Sequence, residues 1–134
     1  MSALSISAEQ IAEAKRRIDY VTRGGQPRHE HDDCVRIAYQ WLDAQTKIKM
    51  ARRRGARALK SIIQKWGGRY VSSSDVEVAA YLHPHIVGRY PYFNIGTRLV
   101  EPSRIRLDGI SEANAHRNYS DRFDPRIYGS KEIG

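Results

Sequence analysis

Apolar residues recur every three or four positions through the first half of the chain, which is the spacing of an amphipathic helix. A first helix is predicted over residues 7–23, opened by Ser7 and Gln10 at capping-box spacing. After the connector GGQPR, a second helix is predicted over 32–51 and a third over 56–66. The pattern therefore predicts a mainly helical core.

Three consecutive serines then precede another helical stretch, DVEVAAYLH. Ser74 and Glu77 have the spacing of a capping box, and Pro84 would end this fourth helix. After a turn, Phe93, Ile95 and Leu99 could lie on the inner face of a fifth helix over 92–100. Two short helices joined by a turn meet the physical needs of a helix-turn-helix.

Residues 101–110 allow two interpretations. Arg104 and Arg106 alternate with Ile105 and Leu107, as in an amphipathic β strand with its cations on one side. Alternatively, Pro102 stands in the first turn of a further helix.

The charge is concentrated in one part of the chain. The net charge is +8, but residues 34–69 hold ten basic side chains and one acidic side chain. The other 98 residues hold thirteen basic and fourteen acidic side chains. A concentrated positive block attracts polyanions, and nucleic acid is the leading candidate. The alternative is a solvated helix face that ends in a basic loop.

One segment carries a family resemblance. ALKSIIQKWGGRYVSSSDVEVAAYL, residues 58–82, resembles the first two helices of winged helix-turn-helix domains, with an apolar helix ending in Gly-Gly, a short strand and a serine-capped start. The resemblance implies that 92–100 is a recognition helix in the DNA major groove and that 101–110 is a β wing. It implies a mainly α, winged helix-turn-helix-like fold with N-terminal helices and a small β wing.

The organisation expected from this is one compact domain with two appendages. We expect an N-terminal helix and linker over 1–28, the winged-helix-like domain over 29–115 and a C-terminal arm over 116–134. The sequence shows neither a long apolar run nor a secretion signal, so we expect a cytoplasmic protein without a membrane partner. Two copies would read a palindromic site, which makes a homodimer a candidate assembly.

The resemblance and the charge together assign DNA contacts. Asn94, Thr97 and Arg98 are the expected base-reading residues, because amide and guanidinium groups on a groove-bound helix can pair with base edges. The expected contacts to the DNA backbone are long cations in or beside loops: Lys47, Lys49, Arg52, Arg53, Arg54, Arg57, Lys60, Arg104 and Arg106.

The stretch HEHDD, residues 29–33, raises the question of a metal site. Its side chains lie on a connector and a helix start, where they do not share one face, whereas carboxylates suit the positive end of a helix. We interpret it as a helix start followed by a small buried residue, Cys34. We therefore expect no catalytic residue, metal or cofactor. A protein-binding inhibitor or adaptor with a basic surface, and a metal-dependent nuclease, are the alternatives.

Overall fold

The computed structural model describes residues 6–21, 27–51, 57–116 and 125–133. Within them, four α-helices come first and are followed by four short strands, with one 3₁₀ turn between the third and the fourth strand. The helices are α1 (Ala8–Arg17), α2 (Asp32–Ala44), α3 (Leu59–Gly67) and α4 (Ser73–Leu82); the strands are β1 (Gly88–Arg89), β2 (Tyr92–Phe93), β3 (Leu99–Glu101) and β4 (Tyr128–Lys131), and the 3₁₀ turn spans Arg104–Leu107.

Helix α4 is the centre of the fold. It packs against α1, α2 and α3, and its residues from Ser74 to Ala80 are all buried. Trp41 and Trp66 come from the neighbouring helices into the same core, and Phe93 joins them from β2. The strands form two separate two-stranded sheets at the edge of the helices. A helical core with a small β part, the coarse prediction from the sequence, is what the structure has.

The predicted start of α1 is confirmed and that of α4 is shifted. Ser7 and Gln10 form the expected capping box. In α4 the cap is Ser72, whose hydroxyl accepts from Asp75 N while the Asp75 carboxylate accepts from Ser72 N. Ser74 and Glu77, the predicted pair, are instead buried inside the helix.

Helix α2 ends at Ala44, so the prediction of a helix to residue 51 is wrong. Gln45 takes an extended conformation, and its side chain bonds the backbone N and O of Val100. Residues 46–51 then run beside 94–96, with Gly96 N donating to Thr46 O over 2.9 Å. Long-range pairing therefore replaces the last two turns of the predicted helix.

The predicted recognition helix over 92–100 is not formed. Strands β1 and β2 make an antiparallel hairpin whose turn contains a cis Tyr90–Pro91 peptide, and Leu99 begins β3. The second helix of a helix-turn-helix is thus replaced by strands. Among the described residues α4 is the last α-helix, and its residues from Ser74 to Ala80 are buried.

The segment 101–110 forms neither a β wing nor a regular helix. Glu101 ends β3, and the next residues make the 3₁₀ turn, capped by the Ser103 hydroxyl. Strand β3 pairs in parallel with β4. The hydroxyl of Tyr128 in β4 accepts a hydrogen bond from Trp41 Nε1 over 3.1 Å. Residues far apart in the chain therefore complete one core.

Gly68 ends α3 in the left-handed conformation, with φ of 62°. A Cβ at this position would lie 2.8 Å from the Cα of Asn114, which packs closely against the turn. Glycine is required here both by the backbone conformation and by this close approach.

Candidate functional site

We call residues 49–60 the basic segment, and the parts of it on either side of 52–56 both pack on the β1–β2 hairpin. On one side, a Cβ added to Gly88 would come within 2.8 Å of the Ala51 Cβ, so the two backbones are in close contact. On the other side, the backbone N of Lys60 donates to the hydroxyl of Tyr90 over 3.3 Å. Residues 52–56 join these ends and lie outside the described residues. The fold therefore brings the basic segment and the hairpin together.

Five described cations lie on these segments, on the hairpin or against the Tyr70 ring, and we call them, with Tyr92, the loop–hairpin surface. Lys60 Nζ lies 5.2 Å from the centre of the Tyr70 ring, and the Arg28 guanidinium lies 5.6 Å from the same ring. Such cation–π contacts orient both charges while leaving them in contact with solvent. The cations of the surface are Arg28, Lys49, Arg57, Lys60 and Arg89.

Of the cations assigned to the DNA backbone, Lys49, Arg57 and Lys60 belong to this surface. Lys49 is exposed, and Arg57 is exposed while it donates to Ile127 O over 3.1 Å. Arg52, Arg53 and Arg54 lie outside the described residues, so the structure gives them no position.

The remaining three backbone candidates have structural partners. Lys47 is half-buried and donates to Asp43 O over 2.5 Å, and burial lowers its pKa. Arg104 donates to Trp66 O. Arg106 is mostly buried and bonds both Asp43 and Glu132. Because these two carboxylates neutralise Arg106 inside the protein, we assign it a structural role in place of a contact to the DNA backbone.

The base-reading trio is not arranged on one exposed helix face. Asn94 is only 4% exposed, and its amide bonds the backbone of Ile48, His85 and Val87. Its amide has no free edge for a base, so we assign Asn94 a structural role in place of base reading. Arg98 is exposed and donates to Gly129 O over 2.7 Å, and Thr97 is exposed.

Arg106 is the centre of an ion network that ties the C-terminal segment to α2. Its guanidinium lies 2.9 Å from Asp43 Oδ2 and 2.6 Å from Glu132 Oε2. The hydrogen bond from Arg106 lowers the pKa of Glu132. Burial alone would raise the pKa of Asp43, but hydrogen bonds from His83 and Arg106 outweigh it and lower that pKa. Both carboxylates therefore stabilise the fold in their charged form.

His83 completes this network as a neutral ring. Its Nδ1 accepts from His85 N over 3.0 Å, so its Nε2 carries the proton and donates to Asp43 Oδ1 over 2.7 Å. Burial lowers the pKa of His83 and keeps it neutral. With both ring nitrogens occupied by the protein, His83 serves the fold.

HEHDD is a helix start, as predicted. The ring of His31 accepts from Asp33 N as the N-cap of α2, and Asp32 and Asp33 occupy its first turn. His29 bonds the fully buried Asp75 over 2.7 Å. In the part of the chain that the structure describes, no three His, Cys, Asp or Glu side chains are grouped as a metal site would need. Cys34 is buried, and burial raises its pKa to about 12.

Sequence reasoning missed the exposed apolar side chains beside the basic cluster. Ile48, Met50, Val87 and Tyr92 are all exposed on the segments that Asn94 joins. Ile48 and Met50 alternate with Lys47 and Lys49, which is the period of a strand rather than a helix. That alternation is the sequence signal for an extended segment, but the helical period of the preceding residues favoured a longer helix.

Comparison with known proteins adds no assignment. No protein-family model matches the chain, and neither the curated proteins nor the solved structures contain a match. None of the helices in the described ranges has the length and apolar character required to cross a membrane.

Proposed function

We propose that this protein is a non-catalytic nucleic-acid-binding protein and that the loop–hairpin surface is its contact face. The observation that carries the proposal is the attachment of both ends of the basic segment to one hairpin. The joined segments, the hairpin and the Tyr70 ring carry or contact Arg28, Lys49, Arg57, Lys60 and Arg89, which come from four separate parts of the sequence. A cluster of long cations beside the exposed ring of Tyr92 is suited to phosphates and to unpaired bases.

The proposal does not depend on a winged helix. Contacts from long cations to phosphates supply affinity without sequence information, whereas a recognition helix would supply sequence discrimination. Since residues 92–100 form two short strands and the segment between them rather than a recognition helix, we expect binding to depend on salt and only weakly on duplex sequence. The role would be that of an accessory factor that binds nucleic acid with little dependence on its sequence.

Fluorescence polarisation with labelled random DNA at several salt concentrations tests the proposal. Each phosphate contact contributes about −0.9 for duplex, or about −0.7 for a single strand, to the slope of log K against log salt. Lys49→Gln and Arg57→Gln should each reduce the magnitude of that slope by about 1. Lys131→Gln is the matched control, because Lys131 is an exposed cation on β4, outside the surface.

A protein that shows no binding at low salt, or binding that does not change with salt, would contradict the proposal. The same holds if Lys49→Gln and Lys131→Gln weaken binding equally, because the charge would then act without a defined surface.

A second candidate function is that of an inhibitor or adaptor that covers an acidic protein. The exposed Ile48, Met50 and Val87 favour it, because clustered apolar side chains next to cations are typical of protein interfaces. Ile48→Ser with Val87→Ser separates the candidates: it should leave salt-dependent nucleic-acid binding intact and would abolish binding to a protein partner.

A further inference from the structure

A cleft of about 240 Å³ lies between the end of α1, helix α4 and the β1–β2 hairpin. Three aromatic residues line it: Tyr81, Tyr90 and Phe93. Tyr90 and Phe93 meet edge to face, with ring centres 6.1 Å apart and planes at 72°. Tyr81 is 51% exposed on the surface of α4. The cleft therefore offers both a fixed aromatic corner and an accessible ring.

The polar groups of the cleft are arranged by depth. Glu77 lies at its buried side, 5% exposed, where its Oε1 accepts from Val21 N over 2.7 Å. Asp19 and Arg89 lie at the exposed rim, where the Arg89 guanidinium donates to Asp19 O over 3.0 Å. At the rim a ligand would meet the Asp19 carboxylate, which accepts hydrogen bonds, and the Arg89 guanidinium, which donates them, while the Glu77 carboxylate lies deeper.

The cleft adjoins the loop–hairpin surface through a shared residue. The ring of Tyr90 lines the cleft, while its hydroxyl accepts from the backbone N of Lys60 on the cationic side. Arg89 belongs to the loop–hairpin surface and also lines the cleft. A ligand in the cleft would therefore have the Arg89 guanidinium within reach of a phosphate attached to it.

We propose that this cleft binds an unpaired nucleobase with an exocyclic amino group, adenine or cytosine, as a free nucleotide or within a single strand. Aromatic rings stack on the base, as in proteins that bind single strands. A carboxylate accepts from the exocyclic amine, as Glu and Asp accept from cytosine N4. The inference rests on the proposed function and deepens it, because it names the part of the nucleic acid that is recognised.

Size and charge favour this ligand over other amines. The cleft is smaller than the pockets of about 300 to 1,000 Å³ that hold drug-sized molecules, so it suits one ring system. A lysine or arginine side chain of a peptide could also bond Glu77, but the peptide would have to approach past Lys60 and Arg89. A nucleotide supplies a flat ring for the aromatic side chains, an amine for the carboxylate and a phosphate for the cation at the rim.

Two titrations at fixed low salt test the proposal. In the first, fluorescence polarisation compares 12-mers of dC, dA and dT, with a random duplex. We expect dC or dA to bind at least fivefold more tightly than dT, and the duplex to bind more weakly than the preferred strand because its bases are stacked and paired. In the second, chemical shifts of the full protein follow addition of dCMP, dAMP and dTMP, and dTMP should be the weakest ligand.

Variants locate the effect in the cleft. Tyr81→Ala should weaken dC 12-mer binding at least fivefold and lower the preference for dC over dT. Glu77→Gln keeps the acceptor for Val21 N and should reduce the preference. Tyr92→Ala is the matched control, since Tyr92 is 41% exposed but does not line the cleft. It should alter affinity for all strands alike, and thermal melting checks that each variant is folded.

The outcomes separate the two proposals. Equal affinity for dC, dA and dT, with no response to dCMP, would overturn the nucleobase site and leave salt-dependent binding intact. Binding of dCMP without binding of any strand would support the site and refute the proposed function. Displacement by a lysine peptide, with no response to either nucleotide, would show that the cleft takes a protein side chain and would also overturn the inference.

Discussion

Replacing Asn94 by alanine tests whether this side chain serves the fold or the ligand. Its Nδ2 donates to Ile48 O and His85 O over 3.0 Å each, and its Oδ1 accepts from Val87 N over 2.8 Å. Alanine would remove three hydrogen bonds at a site that is 4% exposed. At about 1 kcal/mol net for each bond, the free energy of unfolding should fall by about 3 kcal/mol.

Urea denaturation followed by far-UV circular dichroism measures this change, with the midpoint shifting and the slope unchanged. Asn94→Asp keeps the acceptor for Val87 N but loses both donors, so it should be destabilised by at least a similar amount. Thr97→Ala is the control: Thr97 is exposed, and its change should stay within about 0.5 kcal/mol. If Asn94→Ala is as stable as the control and instead loses nucleic-acid affinity, our account of Asn94 is wrong.

Three further predictions follow from groups already described. The pKa values of Asp43 and Glu132 are lowered in the folded protein, so the stability they contribute is present above their unfolded values, about 3.9 and 4.3. It is lost as the pH falls through the lower folded values. Urea midpoints should therefore drop steeply below about pH 4, and Asp43→Asn should flatten that drop. Gly68→Ala should destabilise the protein by more than 1 kcal/mol in the same assay, roughly the penalty for a Cβ in the left-handed region; an unchanged midpoint would contradict the close packing. Cys34 should react with a thiol reagent only as fast as the protein unfolds, so modification of the native protein within seconds would refute its burial.

Local signals predicted the helix starts well. Ser7 and Gln10 are three residues apart in the sequence, so the cap of α1 needs no information from the rest of the fold. The three serines at the start of α4 each suit an N-cap, and Ser72 is the one used, in a capping box with Asp75. Periodicity therefore predicted the four helices that form, together with a fifth over 92–100 that does not.

Strands made by distant pairing could not be predicted in the same way. Ile48 continues the helical apolar spacing of α2, yet residues 46–48 pair with 94–96, and the Gln45 side chain bonds Val100. Within 92–100, Gly96 is the local signal against a helix. The hydrogen bonds from the Asn94 amide to the backbone of Ile48 and Val87 form only where three segments meet, and no local sequence pattern indicates that meeting.

The excess charge indicated Lys49, Arg57 and Lys60 as candidates for nucleic-acid contacts, and this stays a prediction. Lys60 bonds Tyr90 of the hairpin turn, and Arg57 bonds Ile127. Composition could not distinguish them from Arg106, because only the fold places two carboxylates around that guanidinium. Charge counts identify an abundance of cations, and partners in space decide which of them remain available.

The bond between Trp41 and Tyr128 has a consequence for how the protein is made. The ribosome synthesises α2 long before β4. The indole of Trp41 therefore lacks its hydrogen-bond partner, Tyr128, until 87 more residues have been added. Until β4 has left the exit tunnel, that side of the nascent core stays open to chaperones or to other chains. We therefore expect folding to finish after translation of this segment rather than alongside it.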